Sequence, residues 1–141
     1  MTTTTEIARD EMMAAVVAAL EPFSVDMRWQ GKDKPNPPNG ELPYTFTAIT
    51  TALEGQASLT GAFSKTRWNS QGTIMVQCYA PLNLGSIDAA MAMALAVKRY
   101  FRKLSTPGGV WFRNASAKEI GVSTSWYQVN FTATFTFDEI Q

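Results

Sequence analysis

Two groups of residues hold the side chains best suited to recognition chemistry. Phe63, Lys65, Arg67 and Trp68 form a short irregular stretch of large aromatics and bases with few acids. Trp and Arg are enriched at the centres of protein interfaces, which makes this stretch a candidate docking loop. Aromatics interleaved with bases also suit single-stranded nucleic acid, but without a wider basic surface a protein contact is the favoured reading. The plain alternative is an aromatic at a strand end, tucked into the core. The second group is Lys98, Arg99, Arg102 and Lys103, followed by Arg113 and Lys118, with no acid from position 98 to position 118. The first 26 residues are the opposite: Glu6, Asp10, Glu11, Glu21 and Asp26 face only Arg9. Basic residues closing a helix complement its dipole. In a ring of identical subunits, an acidic patch on one copy could instead meet a basic patch on the next.

Bond-making chemistry is harder to find. The 141 residues include no histidine and one cysteine, Cys78. Ser-His-Asp and Cys-His sites, His-ligated metals and four-ligand zinc sites are therefore excluded, as is an internal disulfide. Cys78 alternates with Ile74 and Val76, the pattern of a small buried hydrophobe. Asp10 with Glu11, and Asp138 with Glu139, are adjacent in sequence and point to different sides of any regular element, so both pairs read as solvated carboxylates. Gly108-Gly109 follows a helix and precedes a strand, the reverse of the order that cradles a phosphate. No catalytic residue, metal or cofactor is expected.

Twelve Lys and Arg balance twelve Asp and Glu, with a pI near 6.2, so no overall field draws the chain to nucleic acid or an anionic membrane. The apolar run from Ile87 to Val97 is too short to span a bilayer, and the Thr-rich, acidic N-terminus does not read as a secretory signal. One cysteine is consistent with a reducing compartment.

The elements that must position these residues can be read from periodicity. The length fits a single domain over 1–141. Thr3 and Glu6 have capping-box spacing, and Ile7, Met13, Val16, Val17 and Leu20 recur at helical intervals, predicting a helix from Glu6 to Leu20 stopped by Pro22. Val25, Met27 and Trp29 then alternate as in a strand. Gly31, Pro35, Pro37, Pro38, Gly40 and Pro43 make residues 30–43 a long loop. Tyr44 to Leu53 and Gln56 to Thr60 read as a hairpin turning at Glu54-Gly55, followed by an irregular stretch to Gln71 and a strand over Thr73 to Tyr79. A second helix, capped by Ser86, has Ile87, Met91, Ala94, Leu95, Phe101 and Leu104 along one face and ends before Pro107-Gly108-Gly109. Short strands at Val110–Arg113 and Glu119–Val122 precede a long one, Ser125 to Phe137, in which Tyr127, Val129, Phe131, Ala133, Phe135 and Phe137 alternate with polar residues. Strands in runs between single helices indicate an α+β fold, with a mainly antiparallel sheet and two principal helices packed on one face.

An ordered set of segments carries a resemblance to a family. These are Trp29-Gln30-Gly31 before the Pro-rich gap, Thr60-Gly61, Gly72-Thr73-Ile74-Met75-Val76-Gln77, Pro81-Leu82-Asn83-Leu84-Gly85 leading into the second helix, and Gly121 followed by Trp126-Tyr127-Gln128-Val129-Asn130-Phe131. Together they resemble the tail terminator, or tail completion, proteins of long-tailed bacteriophages, over nearly the whole chain. The resemblance implies a non-enzymatic virion protein assembled in the host cytoplasm. It would sit as a homo-oligomeric, usually hexameric, ring on the head-proximal end of the tail tube. Its partners would be the tail tube protein and a head-side connector or stopper, with DNA only passing through the lumen and no membrane involved. Phe63, Lys65, Arg67, Trp68, Lys98, Arg99, Arg102 and Lys103 are then expected at subunit or partner contacts. Another neck or tail-tube component is the near alternative, and a small ligand-binding domain a more distant one. With no histidine to titrate, assembly is expected to vary little between about pH 6 and 8; light scattering across that range checks this, and a steep change would reveal a displaced carboxylate or amine.

Overall fold

The side-chain alternation in the last strand decides the architecture. In the computed structural model, which describes residues 3–23, 25–32, 42–56, 66–82, 86–123 and 125–140, Trp126–Ile140 forms β5 beside Arg67–Pro81, β3. Their antiparallel register places Ile74 opposite Ala133, Val76 opposite Phe131 and Cys78 opposite Val129. All six are buried, because residues two apart in a strand share a face and this face is the apolar one. β2 (Tyr44–Gln56) joins the other side of β3, and β4 (Trp111–Ser123) the other side of β5, both antiparallel. The short β1 (Asp26–Trp29) pairs in parallel with β2, giving the order β1-β2-β3-β5-β4.

Two helices, α1 (Thr5–Leu20) and α2 (Ser86–Arg102), cover the apolar face of this sheet. Met12, Val16 and Leu20 of α1 and Met93, Val97 and Phe101 of α2 enter one core with Ile74, Val76, Phe131 and Phe135. The fold is thus α+β, two helices on a mostly antiparallel sheet, as the patterning predicts. The other sheet face carries Thr73, Met75 and Gln77 of β3 beside Thr134, Thr132 and Asn130 of β5. Among the described residues no helix covers it.

Several local expectations are corrected. The N-cap of α1 is Thr4, whose Oγ1 accepts from the Ile7 amide at 3.2 Å, so the cap lies one residue after Thr3. Ile7 and Val17 are 50% and 43% exposed, while Ala8, Met12, Ala15 and Ala19 are buried. Small alanines allow α1 to lie close to its neighbours, and a helix with apolar residues all round does not declare which side is inner. Similarly, Ile87 is exposed, and α2 is seated by Ala90, Met93, Ala94, Val97 and Phe101. Glu54-Gly55 is not a turn: β2 passes through it and stays paired as far as Gln56 opposite Trp68, after a register shift between Thr51 and Leu53. Arg67 to Gln71 belong to β3 rather than to an irregular stretch. The two short runs after α2 are one strand, β4, interrupted by register shifts at Arg113/Ser116 and Glu119/Gly121, where Asn114 and Gly121 adopt positive φ. Bulges break the period that would have marked it as continuous. The predicted strand residues 57–60, and most of the loop expected over 30–43, lie outside the described residues.

Gly72 shows how tightly the layers meet. It sits opposite Phe135, and a Cβ there would lie 2.2 Å from the Thr50 carbonyl oxygen and 2.5 Å from the Phe135 ring. Gly72→Ala is expected to destabilise the fold by about 1–3 kcal/mol, the usual cost of overpacking, read as a lower midpoint in urea melts; an unchanged midpoint would show that β2 and Phe135 yield freely.

Candidate functional site

The residues singled out by their chemistry are dispersed by the fold. Phe63 and Lys65 lie outside the described residues. Arg67 and Trp68 are neighbours at the start of β3 and therefore point to opposite faces of the sheet. Arg67 is on the open face, where Nε donates to Asp138 Oδ2 at 3.1 Å and Nη2 forms an ion pair with the same oxygen. Asn69 Nδ2 donates to Asp138 Oδ1 at 2.9 Å, and Gln71 Nε2 to Asn69 Oδ1 at 3.3 Å. Trp68 lies on the helix-bearing face and shares a shallow pocket with Glu54, Ser70 and Glu139.

Asp138 is consequently not the solvated acid expected from its adjacency to Glu139. Its side chain is 15% exposed. Burial pushes its pKa up, but the hydrogen bonds from Asn69 and Arg67, with the Arg67 charge, outweigh that and hold the carboxyl below its ordinary range. Glu11 also departs from expectation: it is half-buried and its Oε1 accepts from the Gly108 amide at 2.9 Å, tying α1 to the turn after α2. No sequence signal marks either contact, because their partners are distant along the chain.

Lys98, Arg99 and Arg102 lie along the last turns of α2, and Lys103 follows its end. Arg102 Nε donates to the Ala115 carbonyl at 3.1 Å, which binds the helix end to β4, and Arg99 and Lys103 are exposed. Nearby, the Arg113 guanidinium sits 5.8 Å from the centroid of the exposed Trp111 ring. At the opposite end of the open sheet face, Tyr44 stacks on Tyr79 with centroids 4.5 Å apart and meets Trp126 edge-on at 5.1 Å. Register brings them together, since Tyr44 is opposite Tyr79. The aromatic content of these strands hinted at such a cluster, but only the pairing makes it one.

Every resolved displacement of a described group runs away from neutrality. Burial pushes Tyr44 up to about 12, raises Tyr79, and pushes the Cys78 thiol up to about 12. Cys78 is therefore an inert core residue rather than a nucleophile. Asp138 moves the other way, further into its charged form. A general acid or base needs a pKa near the working pH, and none of these shifts supplies one. Among the described residues no group of three or more Cys, Asp or Glu could hold a metal ion, and no helix is long and apolar enough to cross a membrane. What the described residues present is a polar sheet face with an aromatic end, a basic helix end and an acidic first helix.

No family model and no curated protein matches the chain. Among solved structures, one chain described by a sequence label alone shares the fold, with a TM-score of 0.57 at 17% identity over 91% of this chain and 94% of that chain. A chain from the virion of a native gene transfer agent particle aligns with a TM-score of 0.42 at 16% identity, over 89% of this chain and 85% of that chain.

The depressed Asp138 pKa fixes a direction for acid stability. A carboxyl whose folded pKa is below its unfolded value, about 4, stabilises the fold above that value and loses the contribution as pH falls through the folded pKa. Asp138→Asn should cost about 1 kcal/mol at pH 7, the scale of a half-exposed ion pair with hydrogen bonds, and the deficit should shrink towards pH 2–3. Urea melts of both proteins at the two pH values check this; an equal deficit at both would mean that the charge contributes nothing.

Proposed function

We propose that this chain is a non-enzymatic virion structural protein of a long-tailed bacteriophage. In this reading it caps the head-proximal end of the tail tube as a closed ring, stops tube growth and forms the tail side of the head-tail junction. The observation that carries the reading is the place of the family-like segments in the fold. Gly72 to Gln77 is the core of β3, packed under Phe135, and Trp126 to Phe131 is the first half of β5, with Trp126 in the aromatic end of the open face. Trp29-Gln30-Gly31 closes β1, where Gln30 Oε1 accepts from the Ile49 amide at 3.0 Å and Gly31 turns the chain at φ 82°. These residues build the scaffold rather than a reaction centre, which is what a capping subunit requires.

The surface agrees with that use. A polymer cap needs broad faces that meet copies and neighbours, and a lumen through which DNA slides must not grip phosphate. The open sheet face is largely Thr, Asn and Gln; Arg67 and Arg28 on it are paired with Asp138 and Asp26, and Arg113 and Lys118, opposite Thr134 and Asn130, stand at its β4 edge. Lys98, Arg99 and Arg102 lie on α2, on the other side of the sheet, with Lys103 just past its end, and all four are assigned to subunit or partner contacts rather than to DNA.

Electron micrographs of the purified protein mixed with tail tubes test the proposal. The expected result is density at one tube end only and an arrest of further tube growth. Binding along the tube wall, or open-ended tubes made of this protein alone, would reject termination and favour another tail component.

A further inference from the structure

We propose that the end of the sheet where β5 begins is a docking surface for a different protein, one that presents aliphatic side chains set among lysines and arginines. Among the described residues, five of the ten large apolar side chains that stand exposed gather at this end. They are Leu42, Leu82, Ile87, Ile120 and Val122, all aliphatic and 46–65% exposed. Scattered singly, such residues need no explanation; gathered, they mark a contact.

Strand register brings them to one height. Tyr44 at the start of β2 is opposite Tyr79 of β3, which is opposite Gln128 of β5, which is opposite Gly121 of β4. Leu42 lies two residues before Tyr44, and Ile120 and Val122 flank Gly121. Leu82 follows Pro81, which is opposite Trp126, and its amide donates to the Ser125 carbonyl at 2.9 Å. Ile87 joins them from the helix layer. Phe101, fourteen residues further along α2, meets Phe131 with ring centroids 5.1 Å apart, and at 1.5 Å per residue Ile87 lies about 21 Å back along the helix. That is the height of about six strand residues, so Ile87 comes level with Ser125. Neighbouring strands are about 5 Å apart, so the group spans roughly 15 Å from β2 to β4.

The charges around this end name the partner's chemistry. Glu21 closes α1 beside it, since the chain passes at once to Asp26, which is opposite Tyr44. α1 has no base in its last turn, so the Glu21 carboxylate and the carbonyl end of the helix both favour a cation from outside. Asp88 lies in the first turn of α2, next to Ile87. Glu119, opposite Val129, is on the helix-bearing side of β4, as is Val122, opposite Tyr127; the neighbouring Lys118, opposite Asn130, is on the other face. Glu21, Asp88 and Glu119 are exposed and enter neither the Arg28–Asp26 nor the Arg67–Asp138 pair. An aliphatic centre with an acidic rim complements an aliphatic centre with a basic rim.

A second copy of the chain does not supply that rim. Two copies meeting through this same end would set Glu21, Asp88 and Glu119 against their like. Stacking this end on the opposite end of another copy repeats without closure and gives an open fibre.

The probe that tests the surface is a designed amphipathic helical peptide of Leu and Lys, with a Leu and Glu peptide of the same pattern as control. Binding to the full chain is followed by calorimetry and by amide NMR shifts. The Leu/Lys peptide should shift the signals of Leu82, Ile87 and Val122, and the Leu/Glu peptide should not. Leu82→Ser/Val122→Ser and Glu21→Lys/Glu119→Lys, all at exposed positions, should keep the wild-type circular dichroism and each weaken binding by about tenfold. No binding, equal shifts from both peptides, shifts that map instead to Ile7, Asp10 and Val17 of α1, or variants that bind like the wild type would each overturn the surface. So would a change of oligomeric state in Leu82→Ser/Val122→Ser by native mass spectrometry, which would give this end to contacts between copies. That the natural partner is a tail component rests on the capping reading above; a chain that binds the Leu/Lys peptide at this end yet leaves tube ends bare would reject capping and spare the surface.

Discussion

The antiparallel pairing of β3 with β5 is the constraint on which the rest of the structure depends. It runs from Arg67 opposite Ile140 to Pro81 opposite Trp126 without a register shift. Because side chains alternate, a slip of one residue would move Phe131, Phe135 and Phe137 from the core to the open face and leave α1 and α2 with nothing apolar to cover. The register is held by particular fits. Phe135 lies over the bare backbone of Gly72, and Asp138 gathers Arg67 and Asn69 at one end. At the other end, the Leu82 amide donates to the Ser125 carbonyl at 2.9 Å.

From this ladder the division of the surface follows. One face of the sheet is used up by the helices; the other remains polar, with Tyr44, Tyr79 and Trp126 packed together at one end. Charges that meet a partner within the subunit, such as Asp138 or Glu11, hold elements together. Asp10, Glu21 and Lys118 enter neither the Arg28–Asp26 nor the Arg67–Asp138 pair. The displaced pKa values of the described groups all move away from neutrality, because burial or ion pairing favours the form each already holds at pH 7.

Much of this was legible in advance. The alternation of Ile74, Val76 and Cys78, and of Val129 to Phe137, names the buried faces correctly, and the spacing of Pro and Gly separates strands from helices. A regular, one-sided pattern names its buried face; an ambiguous one does not. The helical spacing of Ile7 and Val17 points inward on a helix whose apolar residues surround it, as does that of Ile87 on α2, yet all three are exposed. Glu54-Gly55 looked like a turn because glycine usually interrupts strands, yet cross-strand pairing carries β2 through it. Bulges at Asn114 and Gly121 hid the continuity of β4.

The amino-acid sequence on its own determined the fold class, the strands that face the core and the exclusion of histidine chemistry, because these rest on local period and on which side chains exist. It also determined that acids and bases are segregated along the chain. Only the tertiary structure decided that Arg67 and Trp68 point to opposite faces and that Asp138 is held by partners about seventy positions away. Those are relations between segments, fixed by strand register and helix rotation, and neither quantity is written in the local pattern of residues.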